Sequence, residues 1–215
     1  MDIEYRNMLA LLGGKDHGEY AGHELFIHQC YGMGKVNAAL AAQQMILQQH
    51  PDCIISSGLA GGISPEMKPR DIAISEQCVY HDVWCGSGYE WGQVQGLPAV
   101  YNANPILLEC AKNVESSLHS VVGLTCSGDL FVTSPDEIDN IRKHFPTVLS
   151  CDMESAAIAQ TCYIYNIPFL AVRVISDTPG DTDDHEKQWF TFLQEMGDHS
   201  FQWISHLIKK IPQKL

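Results

Sequence analysis

Lysine and arginine are scarce in this chain of 215 residues: 13 of them stand against 26 aspartates and glutamates, for a formal net charge of −13. Binding to nucleic acid and to anionic membranes depends on Lys and Arg, which displace the counterions around phosphate groups. The acidic balance therefore argues against a nucleic-acid partner and a membrane surface. Charged residues of both signs make up only 18% of the chain, below the roughly 25% of ordinary domains. This small share indicates that another subunit covers part of the surface.

The sequence also lacks the features of exported and membrane-bound proteins. No apolar run approaches the roughly 18 residues of a membrane-spanning helix, and the acidic start MDIE is unlike a basic, apolar leader. The eight cysteines include no Cys-x-x-Cys pair, and most, such as Cys53 and Cys162, lie in apolar runs. This pattern indicates buried free thiols, and we expect a protein of the reducing cytoplasm.

Several catalytic signatures are absent. The Gly-Lys pair at positions 34–35 is followed by Val36 rather than by the Ser or Thr of a P-loop, and the dinucleotide-binding pattern of glycines is not completed. There is no His-Glu-x-x-His motif, no Gly-x-Ser-x-Gly elbow, and the histidines show no ligand-like spacing. We therefore expect neither a cofactor nor a metal ion. The Gly-x-Gly of residues 32–34 is either a tight turn or a set of backbone N–H groups that face a ligand.

Short β-rich segments alternate with helical patterns along the whole chain. The predicted strands are residues 25–27, 53–55, 71–75, 121–126, 148–150 and 169–175. The predicted helices are residues 36–49, 105–118, one that starts after Ser134, residues 154–165, and a C-terminal helix with apolar spacing from Trp189. This alternation predicts one α/β domain over residues 1–215, with a mixed or parallel sheet flanked by helices.

The helix predicted over residues 36–49 has an apolar stripe. Val36, Ala39, Leu40, Ile46 and Leu47 recur with helical spacing, which predicts that this face packs against the core.

Two acidic residues follow predicted strands directly. Asp177 comes after the strand of residues 169–175, and Glu154 opens a helix after the strand of residues 148–150. Either acid alone is explained by a turn, an N-cap or compensation of a helix dipole. Ligands of α/β sheets bind beyond the carboxyl ends of the strands, so the shared position favours a functional role for both. The sequence around Glu4 does not by itself indicate a functional role for this residue.

Seven short segments occur in an order that resembles a known superfamily. They are residues 32–39 (GMGKVNAA), 57–62 (SGLAGG), 70–75 (RDIAIS), 80–82 (YHD), 127–132 (SGDLFV), 152–159 (DMESAAIA) and 173–177 (RVISD). On these segments the chain resembles the nucleoside phosphorylases and nucleosidases, and most of all the 5′-methylthioadenosine/S-adenosylhomocysteine nucleosidases. The resemblance implies a nucleoside phosphorylase-like fold, a small-molecule nucleoside substrate and a homodimer.

The implied reaction is hydrolysis of an N-ribosidic bond with release of adenine. By the resemblance, Asp177 is the general acid for purine N7, which requires a raised pKa. Glu154 matches the acid that holds the ribose hydroxyls. Glu4 matches the base that activates water, because residues 1–4 fit the end of the family's Ala-Met-x-x-Glu motif.

The resemblance also implies a set of substrate-binding residues. The ring of Phe131 and the backbone of Val132 are expected to contact adenine, and Met153 and Arg173 the ribose side. Met33, Pro98 and Trp189 are expected around the 5′ group, and Ser176 is a further expected substrate-binding residue. Residues 80–98 are expected to cross the dimer interface and close the neighbour's 5′ pocket.

Two departures from the family leave alternatives open. The apolar strand that usually precedes the Glu4 motif is missing: either the true start lies upstream of Met1, or the sheet lacks its usual first strand. Leu59 stands where the nucleosidases usually have Ser. These two departures favour a catalytically impaired nucleoside-binding homologue as one alternative. A purine nucleoside phosphorylase is another, because the fold is shared, and a 6-amino-deoxyfutalosine hydrolase is a third, because the sequence of residues 80–98 differs from the common pattern.

Overall fold

The structure, a computed structural model, describes residues 2–179, 192 and 199–215. Six α-helices and eight strands are assigned within these residues. In chain order they are α1 (Asp2–Leu9), β1 (His17–Tyr20), β2 (His23–Phe26), α2 (Lys35–Gln49), β3 (Ile54–Gly62), β4 (Ile72–Tyr80), β5 (Tyr101–Asn102), α3 (Pro105–Lys112), β6 (Ser120–Ser127), α4 (Pro135–His144), β7 (Val148–Asp152), α5 (Ser155–Tyr165), β8 (Phe169–Asp177) and α6 (His199–Lys210).

Six strands form one mixed sheet in the order β5-β4-β6-β7-β3-β8. The pairs β4/β6, β6/β7 and β3/β8 are parallel, whereas β3/β7 and β4/β5 are antiparallel. A further antiparallel pairing of β4 with β8 joins the two sides of the sheet. The predicted mixed sheet is confirmed, and its closure explains why β8 is buried along its whole length.

Helices cover the sheet on both sides. On one side α3 and α6 pack together over β4 and β8, around Leu107, Leu170 and Trp203. On the other side α2 packs against α5, and the alanines of both helices join a second apolar cluster. The capping box predicted at Ser134 and Glu137 is present and starts α4.

The inner face predicted for α2 is confirmed only in part: Ile46 is buried and Ala39 is half-buried, but the other three residues are exposed. The residues that α2 buries are Ala38, Ala41, Ala42 and Ile46, whereas Val36 is 69% exposed, Leu40 50% and Leu47 55%. Small side chains let α2 lie close against α5, so the helix turns its alanines inward and its larger apolar residues outward.

Three other segments differ from the prediction. The strand expected at residues 25–27 lies in β2, which pairs with β1 in a separate two-stranded sheet. Helix α3 ends at Lys112 rather than near residue 118, because Asn113 leaves the helical conformation. The C-terminal helical pattern that begins at Trp189 lies outside the described residues, except for Phe192.

The first described element is a helix rather than a strand. Strand β3 pairs with β8 from Ile54 onward but with β7 only at Gly61 and Gly62, so one edge of residues 54–60 has no ladder partner within the described residues. A cavity of about 400 Å³ lies between residues 53–57 and residues 23–28. The unpaired edge agrees with a sheet that lacks its usual first strand.

All eight cysteines are free. Four of them are buried, three are half-buried, and Cys85 is exposed, so the prediction of buried thiols is confirmed only in part. Within the described residues, no helix has the length and apolar character needed to cross a membrane.

Candidate active site

A cavity of about 550 Å³ opens where the ends of β3, β7 and β8 meet the loops after β2 and β6. Helix α1 forms one of its walls. The lining residues are Glu4, Tyr5, Met8, Ile27, His28, Gln29, Cys30, Tyr31, Gly32, Met33, Ser56, Ser57, Gly58, Leu59, Ala60, Gly61, Leu130, Phe131, Val132, Cys151, Asp152, Met153, Glu154, Ile158, Arg173, Ser176, Asp177 and Pro179.

The structure brings nine of the eleven predicted site residues to this cavity. They are Glu4, Met33, Phe131, Val132, Met153, Glu154, Arg173, Ser176 and Asp177. Pro98 is not among the residues that line it, which leaves open its expected role toward a neighbouring subunit. Trp189 lies outside the described residues.

Glu154 holds the N-cap position of α5, yet its side chain does not cap that helix. Its Oε1 instead accepts the backbone N–H of Gly34 at 2.9 Å. Burial raises the pKa of Glu154, and the nearby Asp152 charge raises it further. The interpretation of Glu154 as a mere helix cap is therefore not supported by the geometry.

Asp177 ends strand β8 and is only 2% exposed. The hydroxyl of Ser176 donates to its Oδ1 at 2.5 Å and also lies 3.3 Å from the carbonyl oxygen of Ala60. On the facing strand, a Cβ added to Gly61 would lie 3.0 Å from Pro179 and 3.6 Å from Asp177 Oδ2. A glycine at position 61 thus allows β3 to approach Pro179 closely, beside the carboxylate.

Asp152, for which the sequence alone predicted no role, accepts five hydrogen bonds. Its Oδ2 accepts Arg173 Nε at 2.6 Å and the Ser155 hydroxyl at 2.5 Å. Its Oδ1 accepts the Ser127 hydroxyl at 2.5 Å and the backbone N–H groups of Glu154 and Ser155. The signal that could have found it is Arg173, because an arginine inside an apolar strand needs a buried counter-ion.

Arg173 is 2% exposed and fully engaged. One Nη donates to the carbonyl oxygen of Ser56 at 2.9 Å and the other to the Ser56 hydroxyl at 2.8 Å. Burial alone would lower the pKa of Arg173, but the charge and the hydrogen bond of Asp152, together with the Glu154 charge, raise it. Burial alone would raise the pKa of Asp152, and the guanidinium and the serine hydroxyls lower it. Both groups are therefore charged in the folded protein.

Glu4 reaches the cavity from α1. A Cβ added to Gly58 would lie 3.4 Å from Glu4 Oε1 and 3.6 Å from an Nη of Arg173. The two side chains therefore converge above Gly58, each within ordinary contact distance of a Cβ at that position. The neighbouring Leu59 also lines the cavity.

Apolar side chains line other parts of the cavity. Met33 is 63% exposed and Phe131 43% exposed, whereas Val132 is buried. Together with Tyr31 and Leu130 they give the site large, uncharged surfaces on which a flat ring can stack.

The charge of the cavity is negative. Within the described lining residues, Arg173 is the single lysine or arginine, against Glu4, Asp152, Glu154 and Asp177. The described residues contain no group of three His, Cys, Asp or Glu side chains arranged to hold a metal ion.

The chain is similar to known nucleosidases. The family model described as the phosphorylase superfamily matches residues 17–209. A 5′-methylthioadenosine/S-adenosylhomocysteine nucleosidase of Chromohalobacter salexigens is 36% identical over 214 residues, 97% of this chain and 90% of that protein. The corresponding nucleosidase of Tolumonas auensis is 40% identical over 198 residues, 90% of this chain and 85% of that protein.

Two solved structures are similar over nearly the whole chain. The Neisseria meningitidis nucleosidase in complex with methylthio-immucillin-A has a TM-score of 0.85 and 34% identity, with 95% of each chain covered. The Colwellia psychrerythraea nucleosidase in complex with adenine has a TM-score of 0.85 and 33% identity, with 93% of this chain and 83% of that chain covered.

Proposed function

Since this chain belongs to the phosphorylase superfamily and, within it, to the 5′-methylthioadenosine/S-adenosylhomocysteine nucleosidases, it is an N-glycosyl hydrolase, and we propose that it releases adenine from 5′-thio-substituted adenosines. The observation that carries this proposal is the convergence of Glu4, Glu154 and Asp177. Three separate chain segments bring these acids to one cavity beside a single buried arginine.

Asp177 serves as the acid for the leaving base. When the bond between ribose C1′ and purine N9 breaks, its electron pair goes to the purine, which leaves as an anion unless N7 is protonated. Asp177 is buried at the end of β8, where a protonated carboxyl is favoured by desolvation. The hydroxyl of Ser176 orients this carboxyl. Phe131 stacks on the adenine, and the backbone of Val132 contacts its edge.

Glu154 binds the ribose hydroxyls. Its Oε1 accepts the Gly34 N–H, and the remaining lone pairs of the carboxylate accept from the sugar hydroxyls. Met153 packs against the ribose. A negative carboxylate at this place also stabilises the positive charge that develops on the ribose ring as the purine departs.

Glu4 serves as the base for the attacking water. Its carboxylate lies above Gly58, beside the Arg173 guanidinium. In the step, the water oxygen bonds to C1′, one water proton passes to Glu4, and the purine takes the proton of Asp177. Charge and atoms balance without a cofactor.

Hydrolysis is favoured over phosphorolysis by the charge of the cavity. A phosphate dianion needs cationic partners. Lys35 is held by Asp82 and Asp129 outside the lining, and Arg173 is neutralised by Asp152. The described part of the lining therefore holds no lysine or arginine that is available to neutralise a phosphate dianion.

The 5′ substituent is a thioether in this proposal, because the relatives are named for 5′-methylthioadenosine and S-adenosylhomocysteine. Met33 contacts this group from the same chain, and Pro98 and Trp189 are expected to contribute to the 5′ pocket. A 6-amino-deoxyfutalosine substrate, with a larger aromatic 5′ group, and an impaired protein in which Leu59 weakens water binding are the alternatives to test.

A homodimer is the assembly that the surface supports. The outward side chains of α2 and α5 form an apolar patch, here called the α2/α5 patch: Val36, Leu40, Leu47, Tyr163 and Ile164, each at least half exposed. A patch of this kind marks an interaction surface. The free cysteines suit a reducing compartment, and a cytoplasmic location stays a prediction.

The experiment is an adenine-release assay in phosphate-free buffer with 5′-methylthioadenosine, S-adenosylhomocysteine, adenosine and 6-amino-deoxyfutalosine. We expect release from the two thioethers without phosphate. Asp177→Asn should lower turnover by about 100-fold or more, the lower range for a general acid, whereas the exposed Asp136→Asn should leave it unchanged.

Each alternative function predicts a different result in this assay. A requirement for phosphate would replace hydrolysis by phosphorolysis. Preferred turnover of 6-amino-deoxyfutalosine would change the substrate. Binding of the nucleosides without any adenine release would show an impaired protein, and near-normal turnover by Asp177→Asn would remove the acid assignment.

A further inference from the structure

We propose that Lys35, Asp82 and Asp129, which lie beside the cavity rather than in it, form an ionic clamp that positions Glu154 by holding the Gly34 amide against its carboxylate. The inference rests on the proposed role of Glu154. The three charged residues are positioning residues, since none of them lines the cavity.

The clamp connects three separate loops through four polar contacts. Lys35 Nζ lies 2.7 Å from Asp82 Oδ2 and 3.7 Å from Asp129 Oδ2. The backbone N–H of Lys35 donates to Asp129 Oδ1 at 2.7 Å, and the backbone N–H of Asp129 donates to Asp82 Oδ2 at 2.9 Å. The start of α2, the end of β4 and the loop after β6 are thereby tied together.

The Asp129 carboxylate of the clamp lies close to Gly34. This residue has a φ of 99°, a conformation open to glycine, and a Cβ added to it would lie 2.8 Å from Asp129 Oδ1. Its N–H donates to Glu154 Oε1 at 2.9 Å. Asp129 therefore packs closely against the residue whose N–H holds the proposed ribose-binding acid.

The N-terminus of α2 has no side-chain N-cap, so a carboxylate from another segment can stabilise it. Gly34 stands at the N-cap position without a capping side chain, so the Asp129 carboxylate takes over an exposed N–H at the positive end of the helix. The Lys35 ammonium in turn separates two carboxylates that would otherwise repel each other.

The electrostatics of Asp82 agree with this arrangement. Burial alone would raise its pKa, but the hydrogen bonds from Lys35 and from the Asp129 backbone, together with the Lys35 charge, lower it. Lys35 and Asp82 are also mostly shielded from water, with side chains 23% and 26% exposed. Solvent screening therefore weakens this pair less than an ordinary surface pair.

Lys35→Met tests the clamp, because it removes the charge and keeps the length of the side chain. We expect kcat for 5′-methylthioadenosine to fall by about 10- to 100-fold, the range for a small misplacement of a reacting group. Inhibition by free adenine, which lacks the ribose, should change by less than about 3-fold. Lys35→Arg should retain most of the activity, since a guanidinium can bridge two carboxylates.

The matched variants separate the clamp from a general loss of stability. Lys210→Met removes another lysine with an acidic neighbour, Glu115 at 3.6 Å, remote from the cavity, and should leave kcat unchanged. The double variant of Lys35→Met with Asp82→Asn relieves the repulsion between the carboxylates and should be more active than Lys35→Met alone.

A second readout does not depend on activity. Hydrogen exchange of the peptide that contains Gly34 should be faster in Lys35→Met than in the wild type, because the amide loses its fixed acceptor. If the wild type releases no adenine, the proposed function is wrong. The hydrogen exchange at Gly34 would still show whether the clamp holds this amide. Unchanged exchange at Gly34, unchanged kcat, or an equal loss of adenine and nucleoside binding would overturn it.

Discussion

Replacing Asp152 with asparagine would leave a buried guanidinium without its counter-ion. The Arg173 and Asp152 side chains are 3% and 1% exposed, and Nε lies 2.6 Å from Oδ2. Asparagine keeps Oδ1 as an acceptor for Ser127 and for the helix amides. Its Nδ2, however, would bring a second donor against Arg173 Nε, so the variant loses the charge and also creates a donor–donor contact.

The loss of stability expected for Asp152→Asn follows from the burial of the ion pair. Removing one partner of a buried ion pair costs about 3–5 kcal/mol, because the remaining charge stays desolvated and unpaired. For a domain of this size that loss corresponds to a decrease in Tm of roughly 6–20 °C, at about 2–4 °C per kcal/mol. Whole domains are stable by only about 5–15 kcal/mol, so Asp152→Asn would leave a marginal protein.

Urea unfolding of three variants measures this effect. Asp152→Asn should lower the free energy of unfolding by the amount above, while the exposed Asp136→Asn should stay within about 0.5 kcal/mol of the wild type. The double variant of Asp152→Asn with Arg173→Met should be more stable than Asp152→Asn, since no unpaired charge remains. A loss below about 1 kcal/mol for Asp152→Asn would refute the buried-pair argument.

The pH dependence of unfolding gives an independent check. The pKa of Asp152 is lowered in the folded protein from its ordinary value of 3.8. The stability that this group contributes is therefore present above that value and is lost as the pH falls through the lower, folded-state pKa. Wild type should lose more stability than Asp152→Asn on acidification below about pH 4.

Two further variants test the interface and the loop beside Glu154. Leu40→Glu places a charge in the α2/α5 patch, and sedimentation should show conversion of the dimer to monomer, whereas the same change at the remote, 42% exposed Ile106 should not; a monomeric wild type would contradict the proposal. Gly34→Ala should cost about 1–3 kcal/mol in stability for its positive φ and should lower turnover, because the new Cβ meets Asp129; full activity with unchanged unfolding would contradict the geometry.

The order of elements and most of the site were predictable because their signals are local. Ser134 and Glu137 start α4 through a capping box within four residues. The apolar run that ends at Asp177 predicts β8 and its exit. Motifs that combine such signals in a fixed order identify a family, and the placement of Glu4, Glu154 and Asp177 around one cavity agrees with it.

What could not be predicted depends on contacts between distant segments. The apolar stripe of α2 has the spacing of an inner face, yet packing against α5 selected the alanines instead. Asp152 has no local mark that distinguishes it from any acid after a strand. Its importance appears only when Arg173 of β8 reaches it across the sheet.

The low share of charged residues, the acidic balance, the helix caps and the strand exits were determined by the sequence itself, because each depends on composition or on neighbours within a few positions. The closure of the sheet through β4 and β8, the inward face of α2, the Asp152–Arg173 pair and the clamp around Gly34 were decided by the tertiary structure. The physical reason is that burial and pairing of charges are properties of a three-dimensional environment, which residues far apart in the chain create together.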